Sequence, residues 1–171
     1  MQKIAVAQES PALLDRDKTI EQAVALVAEA AANGAELIVF PEAYISGYPA
    51  WIWRLRPGSD WGTSEQLHER LLDSAIDLES EQLAPLLEAA RHHNMTIVCG
   101  LNERDNTRSG ATIYNSVITI SKHGQVLNRH RKLMPTNPER MVWGFGDGSG
   151  LNVVDTPVGR IGAPVSYTHL R

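Results

Sequence analysis

One cysteine, Cys99, is the only thiol in the 171 residues. The chain therefore cannot close an internal disulfide, and the count agrees with a reducing, cytoplasmic compartment. No apolar run approaches the roughly 18 residues that a membrane span needs. The opening MQKIAVAQ lacks the charged and apolar regions of a secretory leader. Basic residues are not in excess: sixteen Lys and Arg stand against twenty Asp and Glu, giving a net charge of -4 and an isoelectric point near 5.8. That balance offers neither the footprint of a nucleic-acid binder nor a polybasic membrane signal. His92, His93 and Cys99 have no metal-ligand spacing. Repeats, low-complexity tracts and a dividing linker are missing as well. What is present suits a single packed domain, since 43% hydrophobic and 21% charged residues are near the globular norm.

Alternation of element types predicts an α/β layered fold. KIAVAQ, Lys3 to Gln8, reads as a strand. Ile20, Val24, Val27 and Ala31 share one helical face between Asp17 and Asn33, and Gly34 is the expected stop. LIVF, Leu37 to Phe40, reads as a strand buried on both faces. Residues 43–63 lack periodicity and collect Tyr44, Tyr48, Trp51, Trp53 and Trp61, and so long a loop in a compact domain implies service to a site. Ser64–Ser74 and Ser80–Asn94 are expected as helices opened by serine caps, and Met95–Asn102 as a strand. ATIYNSVITI and QVLNRHRKL flank the turn SKHG, and LNVVDTPVGRIGA reads as a second hairpin across Thr156 to Gly159.

Four stretches could carry chemistry. In GAELIVFPEAYISGYP an apolar strand delivers Glu42 into a loop of glycine, proline and tyrosine. A carboxylate there is either one partner of a surface ion pair or a general base in a partly desolvated pocket. In HRKLMPTNPER, Lys132 ends a strand and Glu139 follows on a proline-bearing loop. The lysine is either solvated or an ammonium that holds developing negative charge. GFGDGSG, Gly144 to Gly150, opens no helix and follows no clear strand, so it reads as a turn rather than a dinucleotide loop. Cys99 lies within a buried-strand pattern, which favours an inert small hydrophobe over a nucleophile. Tyr48, Trp51 and Trp53 are candidates for substrate binding at a pocket rim, or for a subunit contact.

Taken together, these stretches resemble the nitrilase family of the carbon-nitrogen hydrolase superfamily. GAELIVFPEAYISGYP matches the family's first signature over its full length, ending in Gly47-Tyr48-Pro49. HRKLMPTNPER with VWGFGDGSG is similar to the second block, in the version typical of nitrilases proper. The resemblance runs from about residue 2 to Ala163. It implies a nitrilase-type four-layer α-β-β-α sandwich and a Glu-Lys-Cys catalytic set. Glu42 matches the general base, Lys132 the lysine that stabilises the tetrahedral intermediate, and Glu139 the additional glutamate beside it. The reaction so implied is attack of a cysteine thiolate on a small-molecule nitrile, with hydrolysis to a carboxylic acid and ammonia. It uses no metal or organic cofactor, and the family assembles as homo-oligomers.

The resemblance also implies a cysteine directly after the strand equivalent to GRIGA. Here the chain continues PVSYTHLR, which puts Ser166 in that place. Residues 1–163 are expected to be the N-terminal part of a nitrilase domain, truncated, and residues 164–171 a non-native tail. A serine hydroxyl is a weaker nucleophile than a thiolate without strong activation, so inactivity is expected of this chain. An amidase or related C-N hydrolase is the enzymatic alternative, and a binding or assembly module without catalysis is the alternative of another class.

Overall fold

The computed structural model describes residues 2–56, 58–107 and 110–164. Strand β1 (Ile4–Val6) leads into helix α1 (Arg16–Ala32), followed by β2 (Leu37–Val39). The Asp15 carboxylate accepts from the Lys18 N–H at 3.0 Å and satisfies one of the orphan donors of the helix start. Gly34 ends the helix with φ +79°, a conformation that costs other residues a Cβ clash. Helices α2 (Trp61–Ser74) and α3 (Ala84–His92) precede the long strand β3 (Thr96–Asp105). Strands β4 (Thr112–Ile120) and β5 (Val126–Arg131) complete a sheet of order β1-β2-β3-β4-β5. Its first three strands run parallel and its last three antiparallel. A separate two-stranded sheet joins β6 (Val153–Thr156) to β7 (Gly159–Gly162).

The period of two along β3 divides the molecule. Ile97 and Leu101 face α1 and α3, where Ile20, Ala23, Val27, Leu86 and Ala90 bury against them. Each large aliphatic chain sealed there contributes about 1.5–3 kcal/mol of transfer free energy. Val98, Gly100 and Asn102 therefore face the other way. The register carries that second face onto Val117 and Asn115 of β4. A smaller apolar cluster joins Leu71 of α2 to Ala43, Ile113, Val142 and Trp143.

Three of the boundaries that differ from the sequence expectation have a local physical reason. Helix α2 begins at Trp61, so Ser64 lies inside it and is no cap. Asp60 stands at the N-cap position, and its carboxylate accepts from the Arg56 N–H and guanidinium, which folds the preceding loop onto the helix start. Ser80 does cap, but it caps a short 3-10 turn (Glu81–Leu83), with α3 starting afterwards. Strand β3 runs on to Asp105, because Glu103 and Asp105 are paired with arginines of β5 rather than solvated.

Candidate active site

Glu42 owes its position to the way the chain leaves β2. The Phe40 N–H still bonds to the Val98 carbonyl at 2.8 Å, and the Ile45 N–H bonds to that of Gly100 at 3.1 Å. The segment 41–44 is thus pressed onto β3 over Gly100. A Cβ at that glycine would strike the Pro41 carbonyl and lie 2.6 Å from the Ala43 nitrogen and 2.8 Å from the Glu42 Cα. Ala43 and Ser46 both adopt positive φ, at 49° and 76°. Strain of this kind at non-glycine residues persists only where surrounding contacts enforce it. Asn102 supplies such contacts, its amide donating to the carbonyls of Ile45 at 3.1 Å and Gly47 at 2.9 Å.

Lys132 follows β5, and its N–H continues the ladder to the Asn115 carbonyl at 2.8 Å. Its ammonium lies 3.0 Å from Glu42 Oε1 and 2.9 Å from Glu139 Oε2. Glu42 Oε1 also accepts from the Asn115 amide at 2.7 Å. The Glu139 carboxylate has two further donors, the Thr136 N–H at 2.7 Å and the Tyr48 hydroxyl at 2.8 Å. The Lys132 and Glu139 side chains are only 4% and 5% exposed, whereas that of Glu42 is 45% exposed and open to a ligand.

The charges follow from this packing. Burial alone would push the Lys132 ammonium down, but its bonds to Glu139 and Glu42 outweigh it and hold the lysine above its ordinary value. Burial would likewise raise Glu139, yet the Thr136 N–H, Lys132 and Tyr48 hold it below the usual carboxylate range. Burial pushes Tyr48 up to about 12, with the Trp53 indole N–H opposing and the Glu139 carboxylate adding to the rise. The hydroxyl therefore stays a donor at neutral pH.

The free side of Glu42, Lys132 and Asn115 opens into a cavity of about 260 Å³. Val98, Gly100 and Val117 form its apolar floor, and Ala163 and Pro164, just after β7, stand at its wall. A larger cleft of about 550 Å³ lies between the 52–56 segment, α2 and Met141–Val142. No member of the Glu42, Lys132, Asn115 and Glu139 set lines it, so size is the poorer guide here. Ionisable groups converging on an apolar floor make the smaller cavity the candidate site.

The structure brings Glu42, Lys132 and Glu139 together from positions up to 97 residues apart in sequence. Tyr48 and Trp53 join them from behind, Tyr48 through Glu139 and Trp53 through the Tyr48 hydroxyl at 3.1 Å. Neither lines the cavity, and Trp51 packs half-buried on the α2 cluster. Cys99 is fully buried on the helix side of β3, and burial drives its thiol far above the ordinary range. Ser166 lies outside the described residues. Asn115, Asn102 and Trp143 escaped the sequence reading. A buried asparagine inside TIYNSVITI was the available signal, since an amide on a buried face is costly unless bonded. Among the described residues, no three His, Cys, Asp or Glu side chains gather as a metal set. No helix among them is long and apolar enough to cross a membrane.

The family model for carbon-nitrogen hydrolases matches residues 3–170. The chain belongs to the carbon-nitrogen hydrolase family. The matched stretch runs past Ala163, where the sequence reading ended the resemblance. An arylacetonitrilase of Aspergillus niger is 42% identical over 172 residues, covering 99% of this chain and 48% of that protein. An aliphatic nitrilase of Rhodococcus rhodochrous is 38% identical over 169 residues, covering 99% and 44%. The chain thus spans about half the length of the curated relatives it matches. In fold, this carbon-nitrogen hydrolase resembles a Saccharomyces cerevisiae member of branch 10 of the nitrilase superfamily. The TM-score is 0.71 at 20% identity, over 95% of this chain and 54% of that one.

Proposed function

We propose that this chain carries the Glu-Lys part of a nitrile-hydrolysing site, and that the complete reaction needs a cysteine where this chain has Ser166. One observation carries the reading: Lys132 is held at 3.0 Å from Glu42 and 2.9 Å from Glu139, beside an apolar-floored cavity that Glu42 enters. The names of the relatives, an arylacetonitrilase and an aliphatic nitrilase, favour nitriles as the substrate class.

In the proposed sequence, Glu42 takes the thiol proton and the thiolate sulfur adds to the nitrile carbon. One π pair of the C≡N bond moves to nitrogen, which takes the proton back from Glu42 and becomes a thioimidate. Glu42 then deprotonates a water that adds to the same carbon. Glu42 passes that proton to the nitrogen, the added hydroxyl gives up its own as the C–N bond breaks, and ammonia leaves a thioester, from which a second water releases the acid and the thiol. The balance is one nitrile and two waters to one carboxylic acid and one ammonia. Among the described residues, Glu42 Oε1 takes both hydrogen bonds made to this carboxylate, which leaves Oε2 for the proton traffic. Lys132 is placed to stabilise negative charge as it develops.

Two features support very low activity in this chain. Cys99, its only thiol, is sealed in the core, and a serine hydroxyl at 166 would need strong activation. Loss of a catalytic nucleophile typically costs on the order of a million-fold in turnover. The test measures ammonia released from an arylacetonitrile, an aliphatic nitrile and their amides. It compares this chain with a longer one continued after Ala163 with the cysteine that the resemblance implies. The expected result is nitrile turnover by the longer chain alone, abolished by Glu42→Gln and Lys132→Ala. Turnover of amides but not nitriles would replace the reading with an amidase, and tight binding without turnover would replace it with a binding module. Nitrile turnover by the 171-residue chain itself would overturn the nucleophile assignment and make Ser166 a reactive residue.

A further inference from the structure

We propose that Tyr48, braced by Trp53 and Trp143, is a positioning residue that clamps the Glu139 carboxylate onto the Lys132 ammonium, rather than a residue that grips substrate. The proposal deepens the reading of Lys132 as the stabiliser of developing charge and rests on it.

Both oxygens of Glu139 are occupied, Oε2 by Lys132 and the Thr136 N–H, and Oε1 by the Tyr48 hydroxyl. A phenol has one proton to give. The Trp53 indole N–H, donating to the same hydroxyl at 3.1 Å, occupies its acceptor side and turns that proton toward Glu139. The Tyr48 ring stands edge-on to Trp143, with centroids 5.3 Å apart and planes at 76°. Trp143 is itself pinned by its N–H to Asn102 Oδ1 at 2.8 Å. The other end of Asn102 holds the carbonyls of Ile45 and Gly47, the backbone that leads into Tyr48. One buried asparagine thus fixes the tyrosine's backbone and the wall its ring rests on.

The consequence concerns the division of Lys132 between two carboxylates. Glu139 is buried and Glu42 reaches the cavity, so Glu139 acts as the anchor and Glu42 as the working partner. Without the Tyr48 hydroxyl, Glu139 Oε1 becomes an unpaired buried acceptor. The carboxylate then gains protons more easily or turns away, and Lys132 falls back on Glu42. That would draw the proposed base into a tighter ion pair and slow its proton transfers without altering the cavity walls.

The test follows the Glu139 carboxyl by carbon NMR as pH is lowered, in the full 171-residue chain, with the signal assigned through Glu139→Gln. Tyr48→Phe is expected to move the Glu139 midpoint upward by about one pH unit, because a charge-assisted hydrogen bond to the ionised form is lost. Trp53→Phe should move it in the same direction by less. An unchanged midpoint in a folded Tyr48→Phe chain overturns the proposal. Should Tyr48→Phe fail to fold, Trp53→Phe decides alone, since Trp53 is exposed, and an unchanged midpoint there overturns it equally. A second arm uses the longer chain described above. A fall in kcat of about ten-fold or more, with KM nearly constant, supports positioning in Tyr48→Phe. A raised KM with kcat unchanged makes Tyr48 a substrate contact and overturns it. If the longer chain turns over no nitrile, the functional reading fails, while the carboxyl titration still judges the clamp.

Discussion

Glu139 illustrates how one buried carboxylate couples the site to the stability of the whole domain. Its folded value lies below the ordinary carboxylate value of about 4.3. Its contribution is therefore complete above that pH and is lost as pH falls through the depressed folded value. Lys132, held above its ordinary value, works in the opposite sense. Its contribution is complete below about 10.4 and is lost as pH rises through the raised folded value. Glu139→Gln should therefore flatten the acid limb of a stability-pH curve measured by urea unfolding, and should cost about 1–3 kcal/mol near pH 7 from the lost charge-assisted bonds. Equal acid slopes in the two chains would refute the assignment. Cys99 offers a second check. Its thiol is sealed on the helix side of β3, so a thiol reagent should label it only as fast as the chain unfolds, and fast labelling of folded protein would contradict that burial. Glu42 and Lys132 stood out in the sequence because each follows a strand beside an irregular loop, and Glu139, on the 3-10 turn Pro138–Met141, stood out through the family resemblance. Asn115 did not, because its only mark is an amide in a strand and its partner Glu42 lies 73 residues away. Tyr48 and Trp53 stood out as aromatics in a long aperiodic loop, but their hydrogen bonds depend on where Glu139 arrives, which no local pattern encodes.

Strands and helices were the readier part of the reading, since periods of two and 3.6 survive in any single segment. The glycine run from Gly144 to Gly150 was read as a turn, and its reason is a tertiary one. A Cβ at Gly146 would strike the Arg131 carbonyl, and one at Gly150 the Arg129 carbonyl, so the run lies flush along β5 just behind Lys132. The Gly146 N–H closes that contact on the Lys132 carbonyl at 3.0 Å. Gly100 serves the same purpose between β3 and the segment that carries Glu42. Gly100→Ala should destabilise by about 1–3 kcal/mol, the usual cost of overpacking, and should shift Glu42 away from Lys132. Gly62 is the contrasting case. It lies in α2 with no atom within 4 Å of an added Cβ, so Gly62→Ala should stabilise by about 0.4–1 kcal/mol. Urea midpoints of the two variants moving in opposite directions would bear out the argument. Stabilisation by both would show that the 41–44 segment yields freely, against the close approach described here.

The sheet as a whole buries one face more completely than the other. On the helix side, α1 and α3 seal the central strands. On the site side, the register sets Val6 beside Val39 and Val98, and Ile4 beside Leu37, yet Ile4 is 56% and Val6 68% exposed. These two residues lie on β1, an outermost strand of the sheet order. Alternation of apolar residues predicts that a face wants cover, but it cannot say whether a helix, a hairpin or another molecule supplies it, which is why this asymmetry was not legible beforehand. An apolar row on an edge strand is a recognised route to self-association. The 171-residue chain should therefore associate as its concentration rises and bind an apolar dye while still folded. Val6→Lys should suppress both effects. Its thermal unfolding should change little, because a mostly exposed side chain adds little to the core and an edge charge opposes pairing. Sedimentation velocity across a concentration series, run beside thermal unfolding of each chain, checks the claim. A wild-type chain that stays monodisperse and dye-free would show that the face does not drive association. A Val6→Lys chain that loses cooperative unfolding would instead show that β1 depends on this apolar row for its own stability.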